Sequence, residues 1–414
     1  MARSAPALSS FTAGEISPRL EGRVTIAKYR EGLADLTNMV VQPHGGVTRR
    51  PGTEYLGEVK ASANVTRLIP FEFKTSDTYA LEFGNQYMRI FRNGLQVLTG
   101  SAKSISAITK ANPGVFTSNS HGYSNGDEVY LVNGGGGMTE LASRNYLIAN
   151  KTANTFQLTD LFGTAINTTG FTTYTGSGVT VDKIYEVATP YTSAQINDVR
   201  FAQSADVMYL VHPSHAVRTL SRTDHNAWTF ATPTITENNT PSLVGSNNYP
   251  SVVTFFEQRL VFAASNNQPQ TLWFSKNADY LNFTTGTNDN DALIYTIASN
   301  KVNAIRYLSA TRILNIGTSG GEYVLTTTNG SPVTPTSTVI RKYSNYGCID
   351  SEVVQVADVT LFAQRGARKV REFRYVGEVD VGGYTAPDIT VLAEHLTEGG
   401  IEEFAFQQEP ESIV

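Results

Sequence analysis

One pattern recurs along the chain and limits what it can fold into: an apolar anchor, an aromatic residue five positions later, and a new apolar strand about seven beyond that. Ile196, Phe201 and Met208-Tyr-Leu-Val211 show it most plainly. Leu68, Phe73 and Ala80-Leu-Glu-Phe83 repeat it, as do Val302, Tyr307 and Leu314-Asn-Ile316 and, more loosely, Pro250, Phe255 and Phe262. A polar turn and a third strand bearing an aromatic or basic residue come next: Tyr87-Met-Arg-Ile-Phe-Arg92, Val217-Arg-Thr-Leu220, Leu272-Trp-Phe274, Glu322-Tyr-Val-Leu325 and Val370-Arg-Glu-Phe-Arg-Tyr375. Such units are antiparallel meanders whose apolar faces need a neighbour. The steps from Val207 to Leu260, Ile313 and Thr360 are close to the roughly 40–50 residues of a propeller blade. Meanders stacked radially bury a common core and leave only short edges. The pattern therefore predicts a mainly β chain with a β-propeller-like body of repeated antiparallel meanders; unrelated meanders are the alternative.

Two segments fall outside the period. Residues 105–187 carry their own alternation in Val129-Tyr-Leu-Val132, Tyr146-Leu-Ile-Ala149 and Thr155-Phe-Gln-Leu158, with turn signals at Asn125-Gly-Asp127 and Gly134 to Gly137. They predict an inserted small β-barrel or sandwich after a first blade at 67–104, with the remaining blades at 188–414. Residues 1–66 are broken by Gly14, Pro18, Gly22, Pro43, Gly45, Gly46, Pro51 and Gly52 into an extended arm, with one short helix expected from about Thr25 to Asn38. The last residues, Ile401 to Val414, repeat the opening of the unit with Phe406 and Ile413 at the offsets of Phe201 and Met208. That predicts an incomplete last blade, completed by a further segment or by a strand paired at its edge.

Charged residues make up 17% of the chain and the net formal charge is −5, so there is no basic stripe to drive tight nucleic-acid binding by counterion release. A mildly acidic wall is compatible with a conduit past which DNA slides. Cys348 is the single cysteine, which excludes an internal disulfide framework and any multi-cysteine metal site. Ala2 to Ser10 lacks the apolar core of a leader, and no run of about 18 apolar residues occurs, so neither secretion nor membrane insertion is expected.

Few residues suggest chemistry. His212-Pro-Ser-His215 with His225 could hold a metal, but no carboxylate pair stands at ligand spacing, so turn histidines are the favoured reading. Gly134 to Gly137 lacks the Lys-Ser/Thr of a phosphate loop and reads as a flexible tip. Asp289 with Asp291, and Glu402 with Glu403, are adjacent acids that read as solvated rather than as a glycosidase pair. No enzyme activity and no cofactor are expected.

The residues also carry a likeness. Phe11-Thr-Ala-Gly-Glu-Ile-Ser-Pro-Arg-Leu-Glu-Gly-Arg23, Tyr29 and Gly45-Gly-Val-Thr-Arg-Arg-Pro-Gly-Thr53 resemble the N-terminal signature of phage tail nozzle proteins, the tail tubular protein B family. The resemblance continues in Ile316-Gly-Thr-Ser-Gly-Gly-Glu-Tyr-Val-Leu325, in Leu361 to Phe373, in Tyr384 to Leu396 and in Gln407-Gln-Glu-Pro410. Asn119 to Val129 and Asn154 to Leu158 are similar to a small β module found in ubiquitin-activating enzymes and in many phage structural proteins. The nozzle resemblance implies a hexameric tube of the virion tail, assembled in the host cytoplasm below an adaptor ring, with tail fibres as further partners and genomic DNA passing through its lumen. A receptor- or glycan-binding tail-tip propeller is the competing function; it needs exposed aromatics, and the chain has only Trp228 and Trp273 as tryptophans.

Two basic groups are candidate contacts with a neighbouring subunit or the adaptor: Arg49 and Arg50 in the arm, and Arg365, Arg368, Lys369 and Arg371 toward the C-terminus. Arg suits such contacts because its planar fork binds carboxylates through two bonds. On a strand, Lys369 and Arg371 would share one face. For the C-terminal group a light contact with passing phosphates and a solvated edge strand whose charges discourage aggregation are the alternatives, and for the arm an intramolecular clasp on the propeller.

Overall fold

A computed structural model describes residues 8–414 except 142, 240–241, 244, 246, 300–301, 328–330, 378–382 and 410–412. Most of the stretch from Ala2 to Ser10, namely Ala2 to Ala7, and Pro410 of the last motif lie outside those residues. Five antiparallel meanders follow one another, each ordered first to fourth strand. Blade one is Arg67–Lys74, Asp77–Gly84, Tyr87–Arg92 and Glu186–Ala188; blade two is Arg200–Ser204, Val207–His212, His215–Asp224 and Ala227–Ala231. Blade three is Pro250–Phe256, Arg259–Ser265, Thr271–Phe274 and Leu293–Thr296; blade four is Ile305–Ala310, Leu314–Thr318, Gly321–Thr327 and Thr338–Ser344. Blade five is Val354–Val356, Val359–Ala363, Val370–Val376 and Gly383–Thr385. Two-residue turns join the first two strands of blades two, three and five, and Ala205, Glu257, Gln258 and Ala357 in them take the positive φ that tight hairpins require.

The repeat works because the second strands of blades two, three and four are buried on both faces. Alternate side chains of a strand point to opposite sides. Met208 and Leu210 thus join the core shared with blade one, while Tyr209 and Val211 join the core shared with blade three. Leu260 and Phe262 face blade two, and Val261 and Ala263 face blade four. Leu314 and Ile316 pack toward blade three; Tyr307 and Val324 pack with Phe362 and Phe373 of blade five. Second strands consequently read as continuous apolar runs, as strands covered on both sides do. At about 1.5–3 kcal/mol for each fully buried large apolar side chain, these interblade cores hold the body together. The body is a β-propeller-like arrangement, as the repeat predicts.

The insertion interrupts blade one between its third and fourth strands. Its seven strands run in the order Ala107–Ile108, Val115–Thr117, Thr155–Thr159, Arg144–Ala149, Glu128–Asn133, Val179–Lys183 and Lys103–Ser104. Only Ile105 and Ser106 separate the first and last of these strands in sequence, so one bent segment pairs with both edges and closes a small barrel. Phe116, Tyr123, Tyr146 and Phe156 fill it. The barrel is seated by a buried ion cluster: Arg89 of blade one meets barrel Glu128 at 2.7 Å and Glu186 at 3.2 Å, and Lys60 of the arm meets Glu186 at 2.6 Å.

Two expectations need correction. The helix expected over Thr25 to Asn38 is a single 3-10 turn at Ala27–Glu31, without a buried residue, after which Gly32–Leu33 pairs in parallel with Gly14–Glu15. A short segment with no core face gains too little packing to propagate a helix. Gly134 to Gly137 is not a free tip either: a Cβ at Gly136 would lie 1.7 Å from the Ser177 carbonyl oxygen and one at Gly137 2.0 Å from that of Thr173. The glycines let two barrel loops touch backbone to backbone. At the other end of the chain, Gln407 and Ile413 exchange two backbone hydrogen bonds, 2.9 and 3.0 Å.

Candidate functional site

The first strands of blades two, three and four and the lead-in to blade five converge on a cavity of about 190 Å³, lined in part by Arg200, Val253, Arg306, Tyr307 and Glu352. A network of charged residues from the beginnings of the first strands stands at it. Arg67, at the start of blade one, is nearly buried, and its guanidinium donates to the Ile196 (3.2 Å) and Val199 (2.6 Å) carbonyls and twice to Glu403 (3.0 and 2.6 Å). It also meets Glu352 at 3.3 Å. Arg200 donates to the carbonyls of Asn197 (2.7 Å), Val199 (3.2 Å) and Asp350 (3.0 Å), and Arg306 holds the Asp350 carboxylate from blade four. Burial raises the Glu352 carboxyl above its ordinary range, against the pull of Arg67 and Arg200. This clasp ties blade one to blade five and to the segment carrying Glu403. Its members are scattered over the sequence and none was singled out there as part of it; only convergence of the first strands brings them together.

A second assembly is the arm. Ser17 N–H donates to the Leu392 carbonyl (2.7 Å), Arg19 pairs with Glu394 (2.6 Å), and His395 meets Glu15 (2.8 Å). Around this seam Leu8, Val24, Ile389, Val391 and Leu396 are largely exposed.

The basic residues divide. Arg49, Arg50, Arg365 and Arg368 are exposed, and Arg50 donates to the Asn38 side chain at 2.8 Å. Lys369 is exposed and paired with Asp388 at 2.8 Å. Arg371 does not belong with them as a surface contact. It stands opposite Phe362 in the sheet, so it turns into the blade four interface, where it is 8% exposed. There it donates to the Gln364 side chain (2.7 Å) and to the Ala386 carbonyl and lies over the Tyr346 ring. Lys369 is exposed where Arg371 is buried, so the two do not act together on one surface.

The suspected chemical sites are not brought together. His212 and His215 are neighbours, with ring centroids 5.0 Å apart, but His225 bonds to Tyr79 of blade one. Asp291 is taken by Lys276 and Asn288, and Glu403 by Arg67. Trp228 and Trp273 are both buried between blades.

Burial, with help from His215 and Arg200, lowers the His212 pKa from 6.5 to about 4. Between those values the unfolded chain binds the extra proton, so His212 contributes stability that is full above pH 6.5 and falls as the pH drops. Taken alone, this contribution is smaller by about 2 kcal/mol at pH 5, and His212→Asn should remove it, as a comparison of the urea midpoints of variant and parent across pH would show.

No protein-family model and no curated protein matches the chain. Solved structures with some likeness include the phage phi92 endosialidase, 13% identical with a TM-score of 0.30 over 73% of this chain and 53% of that one. The chain thus spans about half the length of the endosialidase. The β-propeller domain of Myceliophteria thermophila Cps50 (Swd1) is 11% identical with a TM-score of 0.33, over 78% of this chain and 88% of that domain. A putative 6-phosphogluconolactonase from Bacteroides fragilis is 14% identical, with a TM-score of 0.32 over 78% and 83%. At this level the fold rests on the chain's own sheets.

Proposed function

We propose that this chain is a structural subunit of a phage tail nozzle, a ring of copies below the portal adaptor whose shared lumen carries the genome at ejection. The observation that carries the reading is the arm: an extended segment clamped at its root by Glu15, Ser17 and Arg19 whose Leu8 and Val24 are exposed, as are Ile389, Val391 and Leu396 of the segment it is clamped to. Exposed apolar side chains on both partners of such a clamp suit a contact surface. The number of copies, six, comes with the sequence resemblance.

On this reading the passage lies between copies rather than through one chain's propeller, whose first strands are drawn together by the clasp of Arg67 and Arg200.

Negative-stain imaging of the purified protein, alone and mixed with its adaptor, tests this. Discrete rings with a central hole are the expected result. Stable monomers with affinity for host glycans would transfer the protein to the tail-tip class.

A further inference from the structure

Between blades four and five lies a pocket of about 500 Å³, lined by Asn303, Ser319, Gly320, Lys342, Tyr346 and Arg365 among others. Its described lining holds two cations and no carboxylate. For a chain of net charge −5 that is an uncommon concentration. Lys342 donates one of its three N–H bonds to the Gly320 carbonyl, at 3.1 Å, and two remain. Arg365 is fixed through its backbone N–H to Gly347 (2.8 Å), while its exposed guanidinium has no acid partner among the described residues. Behind Tyr346 the Arg371 guanidinium lies 3.4 Å from the ring centroid, so a third cation backs the wall.

The turn at the floor is shaped for this approach. A Cβ on Gly320 would lie 2.3 Å from the Asn303 side-chain oxygen, and one on Gly321 2.4 Å from Lys342 Cε. The Thr-Ser-Gly-Gly stretch is therefore bare where Asn303 and Lys342 close in. Glu322, the next residue, is fully buried and does not line the pocket.

We propose that this pocket binds a phosphate group, carried either by a small phosphorylated molecule or by the diester backbone of a nucleic acid. Lys342 from a blade-four strand and Arg365 from a blade-five turn, with Asn303 and Ser319 in the same lining, match the charge and the several acceptor oxygens of that group. The inference stands apart from the nozzle reading.

Calorimetric titration of the full chain at low salt tests it with three probes: inorganic phosphate, thymidine 5′-monophosphate, and a short oligothymidylate lacking terminal phosphates. Saturable binding of inorganic phosphate at one site per chain is expected. Lys342→Ala with Arg365→Ala should weaken it about a hundredfold, roughly tenfold for each charge-assisted contact. Lys369→Ala with Arg374→Ala, outside the pocket, should leave it unchanged, and circular dichroism establishes that both variants fold. Absence of saturable binding, or an equal loss in the second variant, overturns the proposal. Binding of the oligonucleotide as tight as that of phosphate supports a backbone source; binding of phosphate and monophosphate alone supports a small ligand.

Discussion

Arg67→Met is expected to lower the free energy of unfolding by about 3–5 kcal/mol, the usual cost of removing one partner of a buried ion pair. The side chain is 4% exposed, and its three nitrogens serve two carbonyls and two carboxylates. Methionine keeps the apolar stem but leaves Glu352 without Arg67, in a site where burial already raises its pKa. Glu403 is about half exposed and recovers water, so the loss concentrates on Glu352 and on the Ile196 and Val199 carbonyls. The double variant Arg67→Met, Glu352→Gln should regain part of the difference, because no charge is then stranded. Urea unfolding measures the energies, and hydrogen exchange at residues 350–353 shows whether the clasp has opened. A cost below about 1 kcal/mol, typical of an exposed pair, would mean that the clasp is not what holds blade one to blade five.

The clasp is also where reading the sequence failed, and the reason is physical. The second and third strands were legible because burial on both faces requires runs such as Val207 to His212 or Leu272 to Phe274, whatever lies elsewhere in the chain. Interblade contacts are local in that sense: each blade needs only its neighbours. The fourth strand of blade one was not legible. Glu186–Ala188 is three residues long, has no apolar alternation, and pairs with Tyr87–Arg89 only because the barrel returns the chain there. Arg371 was misplaced because alternation says which side chains share a face but not which face a neighbouring blade covers, and Phe362 opposite it belongs to the core with blade four. The clasp residues have ordinary neighbours in sequence and acquire meaning only where first strands from opposite ends of the chain converge. Arg49, Arg50, Arg365 and Arg368 are exposed; that Arg365 and Lys342 line one pocket across a blade boundary had no sequence signal.

Glu322→Gln is expected to stabilise the protein by about 3 kcal/mol at pH 8 and to leave it unchanged near pH 4. Glu322 lies across Gly317 from Tyr307, at the blade four and five interface, is fully buried, and neither carboxylate oxygen has a well-formed hydrogen bond. Burial raises its pKa from 4.5 to about 7, opposed by the Tyr346 and Gly347 amides and the Arg371 guanidinium. Between pH 4.5 and 7 the folded chain binds the extra proton, so this group's contribution is full below 4.5 and is lost as the pH rises through 7. At about 1.4 kcal/mol for each pH unit of that window, the whole span amounts to about 3 kcal/mol, and the amide removes the titration while keeping the shape. His212 slopes the other way from about pH 4 to 6.5, so the two groups nearly cancel where their windows overlap, and the parent protein owes them little pH dependence there. Glu322→Gln should then unmask a rise in stability with pH across that overlap, and His212→Asn a fall, both read from urea midpoints. Parallel profiles for Glu322→Gln and the parent between pH 4 and 8 would mean that Glu322 is ionised in the fold and that the blade interface tolerates its charge.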